Sequence, residues 1–220
     1  MEIKPLLEAV SDAYKLFRKN FEYGKNTDEM LEVFKNSLKK PLGSVDLFYD
    51  YIWGKESLNV DGVTENYIPK EGDTLIMDVS VGKNGVWCDV CRTFFVGDAT
   101  PLQREIFELV KSTLRAGHKS LKLGASAADV YNAVNGVYIE AGKTLVHHAG
   151  HKIGKKALLP PQFLPENESL IIENGYYTIE TGLYEDFGIR LENDFLVKKD
   201  GAEDLFEQLM PLDIEMYILK

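Results

Sequence analysis

The sequence predicts an α+β domain built from two related halves. Three observations predict it. Segments of helical periodicity precede strand-like runs twice, first over residues 4–38 and again from Thr100 to Gly142. An Asn84-Gly85 pair between two apolar runs is the strongest short hairpin signal. Each half then carries two carboxylates in strand-like, apolar surroundings: Asp78 and Asp89 in the first, Glu180 and Glu192 in the second. A pseudo-two-fold arrangement follows, with helices packed on antiparallel strands and the charged groups between the halves.

The elements follow in order. Leu6, Leu7, Val10, Ala13, Tyr14 and Phe17 recur at helical spacing over residues 4–22, with Gly24 as a stop. Asn26 or Thr27 caps a second helix, with Met30, Leu31, Val33, Phe34 and Leu38 inward and an end near Pro41-Leu42-Gly43. Val45–Trp53 and Glu56–Val60 read as strands, and Gly72-Asp73 leads into the first carboxylate hairpin. Thr100-Pro101-Leu102-Gln103 is a capping box with Pro at the first helical position, so a long helix runs to about Ser120. Ser126 opens another helix, stopped near Gly142. A loop holding Pro160, Pro161 and Pro165 then precedes the second strand pair.

Hairpin geometry brings the acids together. With Asn84 and Gly85 as a two-residue turn, Lys83 faces Val86 and Asp78 faces Cys91. Side chains alternate along a strand, so Asp89 shares a face with Cys91 and lies diagonal to Asp78. A second hairpin around Tyr184–Gly188 puts Glu180 nearly opposite Glu192, and His151 comes from a third segment. Burying a lone carboxylate costs several kcal/mol of hydration, and four together repel. A pair of divalent cations is the simplest compensation. With carboxylates dominant, one imidazole and no thiolate, Mn²⁺, Co²⁺ or Zn²⁺ suits the donors.

Composition narrows the rest. The chain has 220 residues, 45% of them apolar, which supports one domain with a sizeable core. A net charge of −10 argues against a nucleic-acid partner. No apolar run follows a basic start, so neither a signal peptide nor a membrane span is expected and the location is cytoplasmic. Cys88 and Cys91 form a C-x-x-C that could serve as a redox pair or half a zinc site. No second pair or following helix start supports either use. On a strand the two thiols point to opposite faces, which disfavours a disulfide and leaves two small core residues flanking Asp89. His118 and His148 read as surface or packing residues, and Lys152, Lys155 and Lys156 as a solvated loop, with contact to an acidic group near the site as the alternative.

The motifs resemble those of the pita-bread metallopeptidases: methionine aminopeptidases, Xaa-Pro aminopeptidases and prolidases, with creatinase as a non-peptidase relative. Asp89-x-x-Arg92-Thr93-Phe94, Gly150-His151-x-Ile153-Gly154, Thr178-Ile179-Glu180-x-Gly182-Leu183-Tyr184 and Gly188-Ile189-Arg190-x-Glu192 are most similar to the Xaa-Pro branch. The resemblance covers about residues 5–200 and implies the pita-bread fold, with helices on a curved antiparallel sheet. It implies five metal ligands, Asp78, Asp89, His151, Glu180 and Glu192, for two divalent ions. Asp89 and Glu192 would bridge the ions, Asp78 would ligate one, and His151 and Glu180 the other. It further implies that Glu180 takes a proton from the attacking water and that Arg190 orients Asp78, with Tyr184 beside it. His147 would contact a peptide carbonyl or the tetrahedral intermediate.

The chain also departs from the family. Val60-Asp61-Gly62-Val63-Thr64 lacks the histidine that the family places upstream of the first ligand. Leu158 stands where a second family histidine belongs, and Thr181 where Pro is usual. The N-terminal domain of Xaa-Pro enzymes is expected to be absent, leaving residues 1–220 as one catalytic domain, with a homodimer as an admissible assembly. The expected function is therefore hydrolysis of an N-terminal residue or dipeptide from a small peptide, of Xaa-Pro type. The alternatives are a different small amide, as in creatinase, and a weakly active or non-catalytic binding module.

Overall fold

A computed structural model describes residues 2–220. Helices α1 (Lys4–Lys19) and α2 (Thr27–Leu42) precede strands β1 (Asp46–Trp53), β2 (Thr74–Lys83) and β3 (Val86–Val96). Helices α3 (Pro101–Ser120) and α4 (Ala127–Glu140) precede β4 (His151–Ile153), β5 (Leu159–Gln162), β6 (Tyr176–Tyr184) and β7 (Gly188–Lys198). β8 (Gly201–Asp204) and β9 (Ile218–Leu219) complete one sheet of order β1-β2-β3-β7-β6-β4-β5, with β8 on β7 and β9 on β3. Two helices followed by a hairpin occur twice, as the sequence predicts, in the α+β pita-bread arrangement.

The local signals explain the boundaries. The Asn26 side chain accepts from the Asp28 amide, and Gly43 ends α2 at a φ of 73°. Thr100–Gln103 and Ser126–Asp129 both close reciprocal capping boxes. Asn84 and Gly85 adopt φ of 51° and 74°, as a two-residue hairpin turn requires. The resulting register sets Lys83 opposite Val86 and Asp78 opposite Cys91. Both cysteines are buried and unpaired, on opposite faces of β3.

Some expectations fail for identifiable reasons. Residues Glu56–Val60 are not a strand. Gly54–Leu58 form a 3₁₀ turn, because Ser57 turns inward to receive the Gly188 amide (2.9 Å) and the Thr74 hydroxyl (3.0 Å). Val33 is exposed rather than inward, since the packed stripe of α2 runs through Met30, Leu31, Phe34 and Leu38. α1 ends at Lys19, well before Gly24. The Pro160-Pro161 segment, expected as loop, forms edge strand β5 against β4, a position where missing amide donors are tolerated.

The helices cover one face of the sheet and fix the hairpins from behind. The buried Tyr14 hydroxyl lies between the carbonyls of Met77 (2.9 Å) and Val90 (3.0 Å), joining α1 to both strands of the first hairpin. The halves meet where β3 and β7 pair only at Cys91–Glu192. Side chains take over at that seam. Thr93 Oγ1 donates to the Arg190 carbonyl and accepts from the Arg190 amide, both at 2.9 Å. The buried Arg92 guanidinium donates to the carbonyls of Cys91, Glu192 and Met210 and to the Tyr217 hydroxyl. The Arg92-Thr93 part of the motif is thus a clamp between the halves and the C-terminal segment.

Candidate metal centre and active site

Opposite the helices, the two hairpins present their acids to each other. Asp50, Asp78 and Cys91 form one row across β1, β2 and β3, and Phe48, Ser80 and Asp89 form the next. Glu180 stands directly opposite Glu192 across β6 and β7. Backbone constraints deliver the histidines. Gly150 has a φ of 127°, and a Cβ there would lie 2.3 Å from the Thr178 carbonyl oxygen, so the His147–His151 segment rests directly on β6. The Glu180 amide donates to the Ala149 carbonyl (3.1 Å), which locks that loop to the strand bearing the carboxylate.

Two tight groups result. Asp89, His151 and Glu192 offer ligand atoms within 4.8 Å of one another, all buried. His151 Nε2 lies 3.6 Å from Asp89 Oδ2 and 3.9 Å from Glu192 Oε1. Its Nδ1 faces the Lys152 carbonyl at 3.2 Å, an arrangement that leaves Nε2 free to bind. His147, His148 and Glu180 form the second group within the same limit. His148 Nδ1 is 3.4 Å from Glu180 Oε2, so His148 lines the site rather than an unrelated surface. Sequence reasoning missed it because it treated His147 as the functional member of the pair.

Arg190 is the cation among these acids. Its Nη2 lies 2.7 Å from Asp50 and 3.1 Å from Asp78, and its Nη1 donates to the Val60 carbonyl (2.6 Å) and lies 3.6 Å from Glu180. Asp50 was also missed, although its place opposite Asp78 follows from strand pairing. Tyr184 Oη is 3.2 Å from His147 Nε2. Its ring folds back over Gly182, where a Cβ would meet Oη at 2.5 Å. Thr181 lies on the other face, bonded to the hydroxyls of Thr113 (2.7 Å) and Tyr138 (2.8 Å), so this departure belongs to the helix contact. Leu158 and Lys156 line a cleft of about 500 Å³ that also contains Asp89 and His151.

The electrostatics divide the carboxylates. Burial pushes Asp78, Asp89 and Glu192 well above the usual carboxylate range, and neighbouring acids push further. Burial also raises Glu180, but His147, Arg190, His148 and His151 outweigh it and hold Glu180 down at about 2. Burial lowers His151 to about 4. Glu192 Oε1 is buried without a hydrogen-bond partner among the described residues. A buried acceptor without a donor is costly, and a cation beside His151 Nε2 would satisfy it. The donor set therefore fits a hard or borderline divalent ion.

Known proteins are similar to this chain in sequence and in fold. An uncharacterized peptidase of Methanocaldococcus jannaschii is 32% identical over 154 residues, 67% of this chain and 43% of the relative. The Xaa-Pro dipeptidase of Pyrococcus furiosus is 28% identical over 156 residues, 69% of this chain and 45% of the relative. The matched stretch thus spans under half the length of these curated relatives. Among solved structures, the X-Pro aminopeptidase from Thermotoga maritima superposes with a TM-score of 0.88 at 23% identity, covering 93% of this chain and 59% of that one. The prolidase from Pyrococcus horikoshii gives 0.87 at 23%, covering 93% and 60%. Residues 2–199 match metallopeptidase family M24, and the chain belongs to that family.

Proposed function

We propose that this chain is the catalytic domain of a dinuclear metallopeptidase that hydrolyses small peptides of Xaa-Pro type. The observation that carries the reading is the buried Asp89–His151–Glu192 group, whose Glu192 Oε1 has no hydrogen-bond partner among the described residues. Asp78, Asp89, His151, Glu180 and Glu192 would hold the ions, with Mn²⁺, Co²⁺ and Zn²⁺ all suited to the donors. Bound divalent ions supply Lewis acidity and lower the pKa of a water.

The protein's own groups supply the rest. In this reading Glu180, ionised beside Arg190 (3.6 Å), would accept a water proton. Arg190, braced by Asp50 and Val60, keeps Asp78 in place. His147 donates from Nδ1 to the His148 carbonyl (2.6 Å) and faces the Tyr184 hydroxyl with Nε2 (3.2 Å); it would donate to a peptide carbonyl only with a second proton at Nε2.

Metal analysis of reconstituted protein should find up to two divalent ions per chain, and a dipeptide panel should show hydrolysis that depends on them. Protein that takes up no divalent ion overturns the dinuclear reading. Leu158 and the histidine-free Val60–Thr64 segment favour a second reading, hydrolysis of a different small amide. Metal uptake with cleavage of another small amide but of no dipeptide would select it.

A further inference from the structure

One feature of the cleft belongs to none of the roles above. Phe48 and Trp87 stack with ring centroids 5.4 Å apart and planes within 14°. Both point to the face that carries the acids. Phe48, Ser80 and Asp89 are one row of the sheet, and Trp87 lies opposite Gly82 in the next. Gly82 makes room for the ring: a Cβ there would lie 2.4 Å from the indole. The indole therefore lies flat on β2 and is 8% exposed, while Phe48 remains 62% exposed. The cleft of about 500 Å³ joins these rings to Asp89 and His151, and Leu158 and Lys156 line it too. That volume suits a ligand of dipeptide size.

We propose that the Phe48–Trp87 pair is a specificity subsite for an uncharged, aromatic side chain of the substrate peptide. The inference rests on the peptidase reading and deepens it. A planar aromatic shelf contributes apolar area and ring stacking without losing much conformational freedom. Leu158, 49% exposed in the same cleft, adds an aliphatic contact in place of an imidazole. Lys156 brings positive charge to the cleft and works against a lysine or arginine side chain there. The occupant that fits is the phenyl or indole ring of a peptide whose scissile bond lies at Asp89 and His151.

The test uses the metal-loaded protein and two readouts. Steady-state kinetics compare Ala-Ala with dipeptides carrying Phe or Trp on either side of the bond. Calorimetry compares binding of phenylalanine and tryptophan with that of alanine, and needs no turnover. One ring-bearing ligand of each set should be preferred over its alanine counterpart by about tenfold, the scale of burying part of one ring. Phe48→Ala and Trp87→Ala should bring the ratio towards one, mainly through KM, whereas Phe48→Tyr should retain it. Phe48→Ala is the safer variant for folding, since that ring is largely exposed. Equal treatment of ring and alanine ligands by the parent protein overturns the subsite and leaves the peptidase reading intact. So does a preference that survives both alanine variants. Failure to bind or cleave any of these ligands overturns both.

Discussion

Glu180 shows how position converts one residue type into different acids. It shares a strand pair with Glu192, yet its histidines and Arg190 hold it ionised while Glu192 is pushed towards the neutral form. Glu180→Gln keeps the shape and removes the charge and the proposed base. Turnover should fall by more than about 100-fold, the lower scale for general-base catalysis. Circular dichroism should show an unchanged fold, and an active variant would assign the base role elsewhere. Leu158 is the complementary case. Leu158→His introduces a donor into the cleft, so turnover of an Xaa-Pro dipeptide should rise with metal content unchanged. Parent protein already working at about 1–1000 per second, the ordinary enzymatic range, would show that Leu158 is no handicap.

At the scale of elements, two contacts hold the site from behind. Thr181 joins β6 to α3 and α4 through the hydroxyls of Thr113 and Tyr138. Thr181→Val removes the shared hydroxyl and strands the buried Tyr138 hydroxyl, while Thr113 keeps its bond to the Val110 carbonyl. The cost should be about 1–3 kcal/mol, readable as a lower midpoint in denaturant with an unchanged slope. The β3–β7 seam is the second contact. Arg92 makes four hydrogen bonds there and lies over the Phe206 ring at 4.6 Å. Arg92→Ala leaves several buried carbonyls unpaired and should cost at least about 3 kcal/mol. It should also weaken metal uptake, because the seam sets the distance between Asp89 and Glu192.

At the scale of the whole molecule, stability and metal are linked through pH. Asp78, Asp89 and Glu192 have folded pKa values raised above their unfolded ones. Their contribution is full below the unfolded carboxylate range, about 4, and is lost as pH rises through the folded values. Glu180 and His151 are depressed, to about 2 and about 4 respectively. Their contributions are present above the unfolded values and are lost as pH falls through the folded ones. Metal-stripped protein should therefore lose stability from the three raised acids as pH rises towards neutrality. Divalent ions should restore it, because they bind the deprotonated ligands of the folded state. The gain in Tm on adding Mn²⁺ should be larger at pH 7.5 than at pH 5.5. An equal gain at both would separate metal binding from these acids. Among the described residues no helix is long and apolar enough to cross a membrane.

Much of this was legible in the chain. The Asn84-Gly85 turn sets the register that makes Asp78 and Asp89 diagonal neighbours, and two capping boxes start α3 and α4, because hairpin turns and caps are local chemistry. The doubling of helices and acid-bearing hairpins implied the fold. What the sequence could not show depends on distant neighbours. Ser57 turns inward because Gly188, 131 residues away, needs an acceptor for its amide. His148 reaches Glu180 because Gly150 lets its loop lie against Thr178. Asp50 braces Arg190 across 140 residues of chain. Phe48 and Trp87 form a shelf because three strands bring their rows into line. Local patterning determined which elements form and which residues share a face. Only the assembled sheet decided which side chains from different segments meet, because those contacts arise from packing rather than sequence spacing.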